Sequence, residues 1–301
     1  MKIVLIGSNG QLGSDLCIAL KNRELVPLTD KDIDITDIDS VLAICKRHKP
    51  DVIINTAAYV LVDDCEENVD IAFHVNALGA RNVAVAAQQI GSVMVHLSTD
   101  YVFGGDENRN VPYTEFDTPI PLSTYGKSKL AGERFVEHLC SRYFIIRTSA
   151  LFGKAGSSGK GGNFIETIIK LGKKQDKLNV VSDQVFSPTY AKDLAHKIGE
   201  LIDTRYYGIF HVTNSGVCSW FEFSREILKL TRSKTGVVPI QTSGYPQKAR
   251  RPAYSVLDNY HLRLLGMDDM RDWKKALTDY LVEKGHITKP KTRAAGLAGI
   301  D

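Results

Sequence analysis

Short apolar runs alternate with amphipathic stretches along this chain, and the alternation is the first constraint on its fold. Lys2-Ile-Val-Leu-Ile6 is apolar after its first residue, the pattern of a strand buried on both faces of a parallel sheet. A helix is expected over 11–20, a second strand over 24–28, a helix over 38–49 and a third strand over 52–55. A long helix of mostly small residues follows over 72–91, then a strand over 93–98, a helix containing Tyr125, and a strand over 143–147. This repetition predicts an α/β fold built on a doubly wound parallel sheet with right-handed crossovers. Beyond residue 147 the texture changes. Residues 153–162 are rich in Gly, Ser and Lys and read as a surface loop, either one that closes over a ligand or an idle one. A helix is expected over 163–171, a strand over 178–181, a helix over 191–202, a strand over 209–212 and a helix over 220–230. The Lys, Pro, Ala and Gly content after Gly285 predicts a disordered tail over 286–301.

With 301 residues, 43% of them hydrophobic, the chain can bury one large core or two smaller ones. A net charge of +3 without a dense Lys/Arg run argues against a nucleic-acid polymer as partner. Cys17, Cys45, Cys65, Cys140 and Cys218 are scattered, with no paired or His-linked spacing, so they read as small core hydrophobes in a reducing compartment. Nowhere do eighteen apolar residues run together, and the first segment reads as a core strand rather than a secretion signal. The expectation is a cytoplasmic chain with no membrane partner.

The first strand runs into Gly7-Ser-Asn-Gly10-Gln-Leu-Gly13. Glycines at such spacing permit a tight turn, close approach of backbone to a pyrophosphate and close packing of the next helix. The phosphates would lie at the helix N-terminus, where unpaired N–H groups favour anions. Asp30, after the second strand, is an acid of the kind that binds an adenosine ribose; Asp32 and Asp34 compete for that role. Thr56-Ala57-Ala58-Tyr59 ends the third strand with small residues against which a cofactor can lie.

Thr99 closes the fourth strand, and Tyr125 and Lys129 lie four residues apart, on one helix face. Together they bring a hydroxyl, a phenol and an ammonium to a carbonyl about to be reduced. Tyr125 would protonate the alkoxide, with the nearby cation drawing its phenol toward working pH. Thr99 would hold the carbonyl oxygen in line. By itself a Tyr-Lys pair also suits a surface helix with a solvated Lys. The cations of Gln247-Lys-Ala-Arg-Arg-Pro252 suit either substrate phosphates or a solvated loop. The expected layout is a Rossmann-like dinucleotide domain over 1–150 with a return segment near 185–215. A smaller C-terminal α/β substrate-binding domain is expected over 151–285.

Gly-Ser-Asn-Gly-Gln-Leu-Gly at the start, Ser-Thr-Asp-Tyr-Val-Phe from Ser98, Tyr-Gly-Lys-Ser-Lys-Leu-Ala-Gly-Glu from Tyr125, Arg-Thr-Ser from Arg147 and Asp183-Gln184 together resemble the extended short-chain dehydrogenase/reductases. Within that superfamily the chain resembles the dTDP-4-dehydrorhamnose reductase family over roughly residues 1–281. The resemblance implies that Thr99, Tyr125 and Lys129 are the catalytic triad and that the cofactor is NADPH or NADH. It implies that Gly7, Asn9, Gly10, Gln11, Leu12 and Gly13 hold the cofactor phosphates. Asp30, Asp34, Ile35, Ala57, Ala58, Tyr59, Asn76 and Ser98 would border the rest of the cofactor, as would Tyr125 and Lys129. Asp100, Tyr101 and Arg251 would face a nucleotide-sugar substrate, and a homodimer is compatible with the family.

The departures concern the sugar. Members usually carry a Trp where this chain has Ala150, which removes an apolar contact surface. Tyr59 stands where many have His, and Val60-Leu61 replaces a small polar residue and an alanine. Some members bind magnesium through a first-helix glutamate; Ser14-Asp15 offers only an aspartate, so no metal is expected. A 4,6-dehydratase is disfavoured because Tyr101 replaces the Glu of its acid pair. An epimerase or a reductase of another sugar stays open. So does a cofactor-binding regulatory subunit like methionine adenosyltransferase β, although that reading predicts erosion of the triad, which is intact.

Overall fold

The computed structural model describes residues 1–106, 108–156 and 162–288. Its first half alternates as the pattern predicts: β1 (Lys2–Ile6), α1 (Gln11–Ala19), β2 (Glu24–Leu28), α2 (Ile38–His48) and β3 (Val52–Asn55). Two short helices, α3 (Val62–Cys65) and α4 (Val69–Phe73), then lead through a π-helical turn, His74–Gly79, into α5 (Ala80–Ile90). β4 (Val93–Thr99), α6 (Thr124–Leu139) and β5 (Tyr143–Thr148) follow. The second half contains β6 (Leu151–Phe152), α7 (Phe164–Gly172), β7 (Lys177–Val181), β8 (Val185–Phe186), β9 (Thr189–Tyr190) and α8 (Ala191–Leu201). It ends with β10 (Gly208–His211), β11 (Cys218–Ser219), α9 (Trp220–Leu230), β12 (Gly236–Ile240), α10 (Tyr260–Leu264) and α11 (Trp273–Glu283).

Six strands form one parallel sheet in the order β10-β5-β4-β3-β1-β2. Alternation along β1 shows why this strand had to be apolar throughout. Ile3 and Leu5 pack with Leu12, Leu16 and α8 on one face, whereas Val4 and Ile6 pack with Val83, Ala84 and Val136 on the other. The chain leaves β1 toward β2 on one side and returns through α2 to β3 on the other. The strand order therefore reverses at β1, and a crevice opens beyond the carboxyl ends of β1 and β3, where open α/β sheets bind ligands. Pro27 is tolerated because β2 is an edge strand.

A second core gathers Phe152, Ile165, Ile168, Phe223, Trp273 and Tyr280 from β6, α7, α9 and α11. Three two-stranded ladders brace it: β12 with β7, β8 with β11, and β6 with β9. Between visits to this lobe the chain returns to the main sheet as α8 and β10.

Three local features depart from the pattern. The expected single helix over 72–91 is broken by the π-helical turn, where the Asn76 side chain is bound inward to backbone and to Ser128. β12 gave no signal because it is largely exposed and contains Pro239; it pairs on one side only. His286, expected in the tail, hydrogen-bonds Glu166 through Nε2 at 3.0 Å, so ordered chain passes residue 285. The rest of the expected tail, from residue 289, and loop residues 157–161 lie outside the described residues. Cys45, Cys65, Cys140 and Cys218 are buried thiols and Cys17 is partly so. Among the described residues no helix is long and apolar enough to cross a membrane.

Candidate active site

A cleft of about 1550 Å³ runs along the carboxyl ends of β1, β3, β4 and β5 and into the second lobe. At one end lies the glycine loop. Gly7 has φ +82°, a left-handed conformation that favours glycine, and a β-carbon at Gly13 would sit 2.1 Å from the Gly7 carbonyl oxygen. The N-cap of α1 is Gly10, with no side-chain cap, so the first-turn N–H groups are left for another acceptor. This cradle, too tight for any side chain and lined with donors, fits a dinucleotide pyrophosphate. Gly7, Asn9, Gly10, Gln11, Leu12 and Gly13 all line the cleft.

The acids after β2 differ in their hydrogen bonds and in their access to the cleft. Asp32 accepts from the Thr29 backbone and hydroxyl at 2.8 and 2.7 Å and does not line the cleft. Asp34 lines it but is tied to Thr36, whose hydroxyl and N–H hold its carboxyl below the usual range. Asp30 faces the glycine loop, with Asn9 Nδ2 at 3.5 Å from its Oδ1. Ile35, Ala57 and Ala58 line the same wall. Tyr59 and Asn76 do not. The Tyr59 phenol donates to Asp64, its N–H donates to Asn76 Oδ1 at 2.8 Å, and Asn76 Nδ2 donates to the Tyr59 carbonyl at 3.1 Å and to Ser128 at 3.0 Å. Both act behind the wall, holding its backbone.

At the other end β4 delivers Thr99 and α6 delivers Tyr125 and Lys129. Ser123 caps α6 by accepting from the Gly126 N–H at 3.1 Å, which starts the helix just before Tyr125. The phenol of Tyr125 hydrogen-bonds Thr99. Thr99 Oγ1 also accepts from the Tyr101 N–H at 3.2 Å and donates to Asp100 Oδ1 at 3.1 Å. Lys129, expected to border the cofactor, does not line the cleft: it is 2% exposed and its Nζ donates to the Leu97 carbonyl at 2.6 Å.

The expectation that Lys129 would pull the Tyr125 phenol toward neutral pH is corrected. Burial pushes the phenol well above its ordinary value, against the weaker opposing pull of its Thr99 hydrogen bond, and the Asp100 and Tyr101 charges add to the rise. Burial also lowers Lys129 to about 8, with Glu133 holding it up. In this state Tyr125 is a protonated donor.

Asp100 and Arg251 line the cleft, but their charges are engaged inside the protein. Asp100 Oδ2 accepts from Ser149 at 2.8 Å and Ser255 at 2.6 Å, and burial raises its carboxyl to about 6. Arg251 pairs with Asp63 at 3.0 Å and with Gln247 Oε1 at 2.8 Å, while Lys248 pairs with Glu67. Of the cations in residues 247–252, which suited either substrate phosphates or a solvated loop, Lys248 and Arg251 are thus paired with acids in and just after α3. Tyr101 lines the cleft, its ring edge-on to Tyr125 at 5.9 Å. Ala150 lines it too, at φ +41°.

Sequence reasoning missed a polar layer beneath the site. Ser98, itself lining the cleft, donates to Glu133, and Glu133 is paired with Arg147 through Nη2 at 2.7 Å and Nε at 3.0 Å. Both charged groups are almost fully buried. The available signal was an acid four residues after Lys129 on the same helix face.

The sequence matches the family described as RmlD substrate binding domain over residues 1–285. It is 41% identical over 285 residues to the spore coat polysaccharide biosynthesis protein SpsK of Bacillus subtilis, covering 94% of this chain and 98% of that one. The crystal structure of a dTDP-4-dehydrorhamnose reductase from Clostridium acetobutylicum superposes with a TM-score of 0.89 at 45% identity, covering 93% of this chain and 98% of that one. The Bacillus anthracis dTDP-4-dehydrorhamnose reductase, solved in complex with NADP, gives 0.89 at 44% identity, covering 94% and 100%. These matches lead to one conclusion: the chain belongs to the dTDP-4-dehydrorhamnose reductase family of NAD(P)H-dependent oxidoreductases.

Proposed function

We propose that this chain reduces the C4 keto group of a nucleotide-linked 4-keto-6-deoxyhexose, turning dTDP-4-dehydro-L-rhamnose into dTDP-L-rhamnose. The observation that supports it is one cleft with a pyrophosphate cradle at one end and the Thr99–Tyr125 pair at the other, with Lys129 buried one turn on from Tyr125, behind the wall. Bound along the cleft, the nicotinamide cofactor supplies the hydride. Tyr125 gives its proton to the oxygen on which negative charge develops, and burial that keeps the phenol protonated suits it to donate. Thr99 orients that oxygen through the hydroxyl it shares with Tyr125. Lys129, largely ammonium at neutral pH, binds the nicotinamide ribose and stabilises the phenolate left behind. Asp30 takes the adenosine ribose. Tyr101 and Arg251 border the sugar, and Asp100 braces Thr99.

A second reading, reduction of a related keto sugar, is favoured by Ala150, which leaves the cleft wall open where family members carry an indole. Following NADPH and then NADH absorbance with dTDP-4-keto-6-deoxy-L-mannose generated in place tests both readings. Rapid oxidation that Tyr125→Phe abolishes is the expected result. Tight cofactor binding without turnover would refute the assigned sugar and shift the search to other 4-keto sugars.

A further inference from the structure

The polar layer beneath the triad is more than packing. Ser98, Arg147 and His211 stand side by side on β4, β5 and β10, each the direct register partner of the next. Glu133 descends on this row from α6. Its Oε1 accepts from Ser98 Oγ and from Arg147 Nε at 3.0 Å, and its Oε2 accepts from Arg147 Nη2 at 2.7 Å. His211 Nδ1 faces two carbonyl oxygens, of Tyr113 and Asp258, so Nδ1 carries the proton and Nε2 accepts from Arg147 Nη1 at 3.4 Å. Burial and the arginine keep this ring neutral.

Two buried cations therefore flank one buried anion. Lys129 lies one helical turn before Glu133 on the same face, and Arg147 is bonded to it directly. Among the described residues Glu133 is the one negative group that acts on Lys129. His96, from β4, is 1% exposed, neutral, and has no hydrogen-bond partner at either ring nitrogen among the described residues, and Tyr125, one turn before Lys129, is held as a neutral phenol. β4 is also held to α6 at two successive points just before Thr99: Lys129 on the Leu97 carbonyl and Glu133 on Ser98.

We propose that Glu133 is a positioning residue for hydride transfer: joined to Ser98 and Arg147, and one turn from Lys129, it keeps Lys129 an ammonium and fixes the strand end that carries Thr99. Desolvation opposes the charged lysine, and the buried carboxylate offsets that opposition. The inference rests on the role given to Lys129 above, so its test reads cofactor binding rather than sugar turnover.

NADPH affinity is measured by fluorescence on the full chain from roughly pH 6 to 10, across the ordinary lysine range. Wild type is expected to lose affinity as pH rises through about 8, and Lys129→Met to lose that pH step. Glu133→Gln should move the step down by about one pH unit, leaving binding roughly fivefold weaker at the wild-type midpoint and approaching tenfold above it. Because Glu133→Gln strands Arg147, the double variant Glu133→Gln/Arg147→Met is measured alongside and should move the step in the same direction by a smaller amount, since a neighbouring cation leaves with the carboxylate; Glu133→Asp should largely restore the wild-type midpoint. A wild-type midpoint in both the single and double variants, with only lower melting temperature, would overturn the proposal, as would a step that survives in Lys129→Met or is missing from wild type. The predicted displacement without turnover of any keto sugar would sustain this inference while refuting the substrate assignment.

Discussion

Asp15 → Asn should stabilise the protein at neutral and alkaline pH and do almost nothing in acid. Asp15 sits on α1 one turn after Gln11, is 7% exposed, and its Oδ2 has no hydrogen-bond partner among the described residues. Gly153 packs over it so closely that a β-carbon there would lie 3.2 Å from that oxygen. Burial, then the Glu283 charge, raises its carboxyl from 3.8 to about 6, against the pull of Lys192, His196 and Lys154. Between these two values the folded chain binds a proton that the unfolded chain has released, so stability falls as pH rises through that window. Roughly two units at 1.36 kcal/mol each make the ionised carboxylate cost about 3 kcal/mol above pH ~6. Asparagine has nearly the same shape and no charge, and Gln11 Oε1, also without a partner, offers its amide an acceptor one turn away. Urea unfolding of both proteins at about pH 4 and pH 8 should show a difference near zero in acid and a gain of about 2–3 kcal/mol in base. An equal gain at both pH values, or a loss at the higher one, would refute the reasoning.

Gly13→Ala places a methyl 2.1 Å from the Gly7 carbonyl and 2.8 Å from Ser8 Cα, a backbone collision that no rotamer relieves. Overpacking of that kind costs about 1–3 kcal/mol, and NADPH titration should show affinity about ten- to a hundredfold weaker; unchanged affinity would remove the cradle from the cofactor site. Arg147→Met leaves Glu133 as an uncompensated buried charge and should cost about 3–5 kcal/mol in thermal or urea unfolding. Adding Glu133→Gln should recover most of that loss, and failure to recover would show that the ion pair is not its source.

What could be read directly from residue order rests on local rules. Ile3, Leu5 and Val4, Ile6 had to feed two opposite layers, so β1 was recognisable as a doubly covered strand. Gly7, Gly10 and Gly13 marked a turn with no room for side chains, and Tyr125 and Lys129 shared a helix face by spacing alone. The edge strand β12, exposed and carrying Pro239, had no such periodicity to show.

The electrostatic character of the site belongs to the tertiary structure. Whether Tyr125 is drawn toward phenolate or held as phenol depends on how deeply it is buried and on Asp100. Asp100 in turn takes its hydrogen bonds from Ser149 and from Ser255, 155 residues away along the chain. Arg251 reads equally as a phosphate ligand or a solvated cation until Asp63, 188 residues distant, pairs with it. Periodicity and steric limits act within a turn or a strand, so the chain carries them wherever it goes. Desolvation and charge pairing depend on what else arrives at the same point, and only the closed fold decides that.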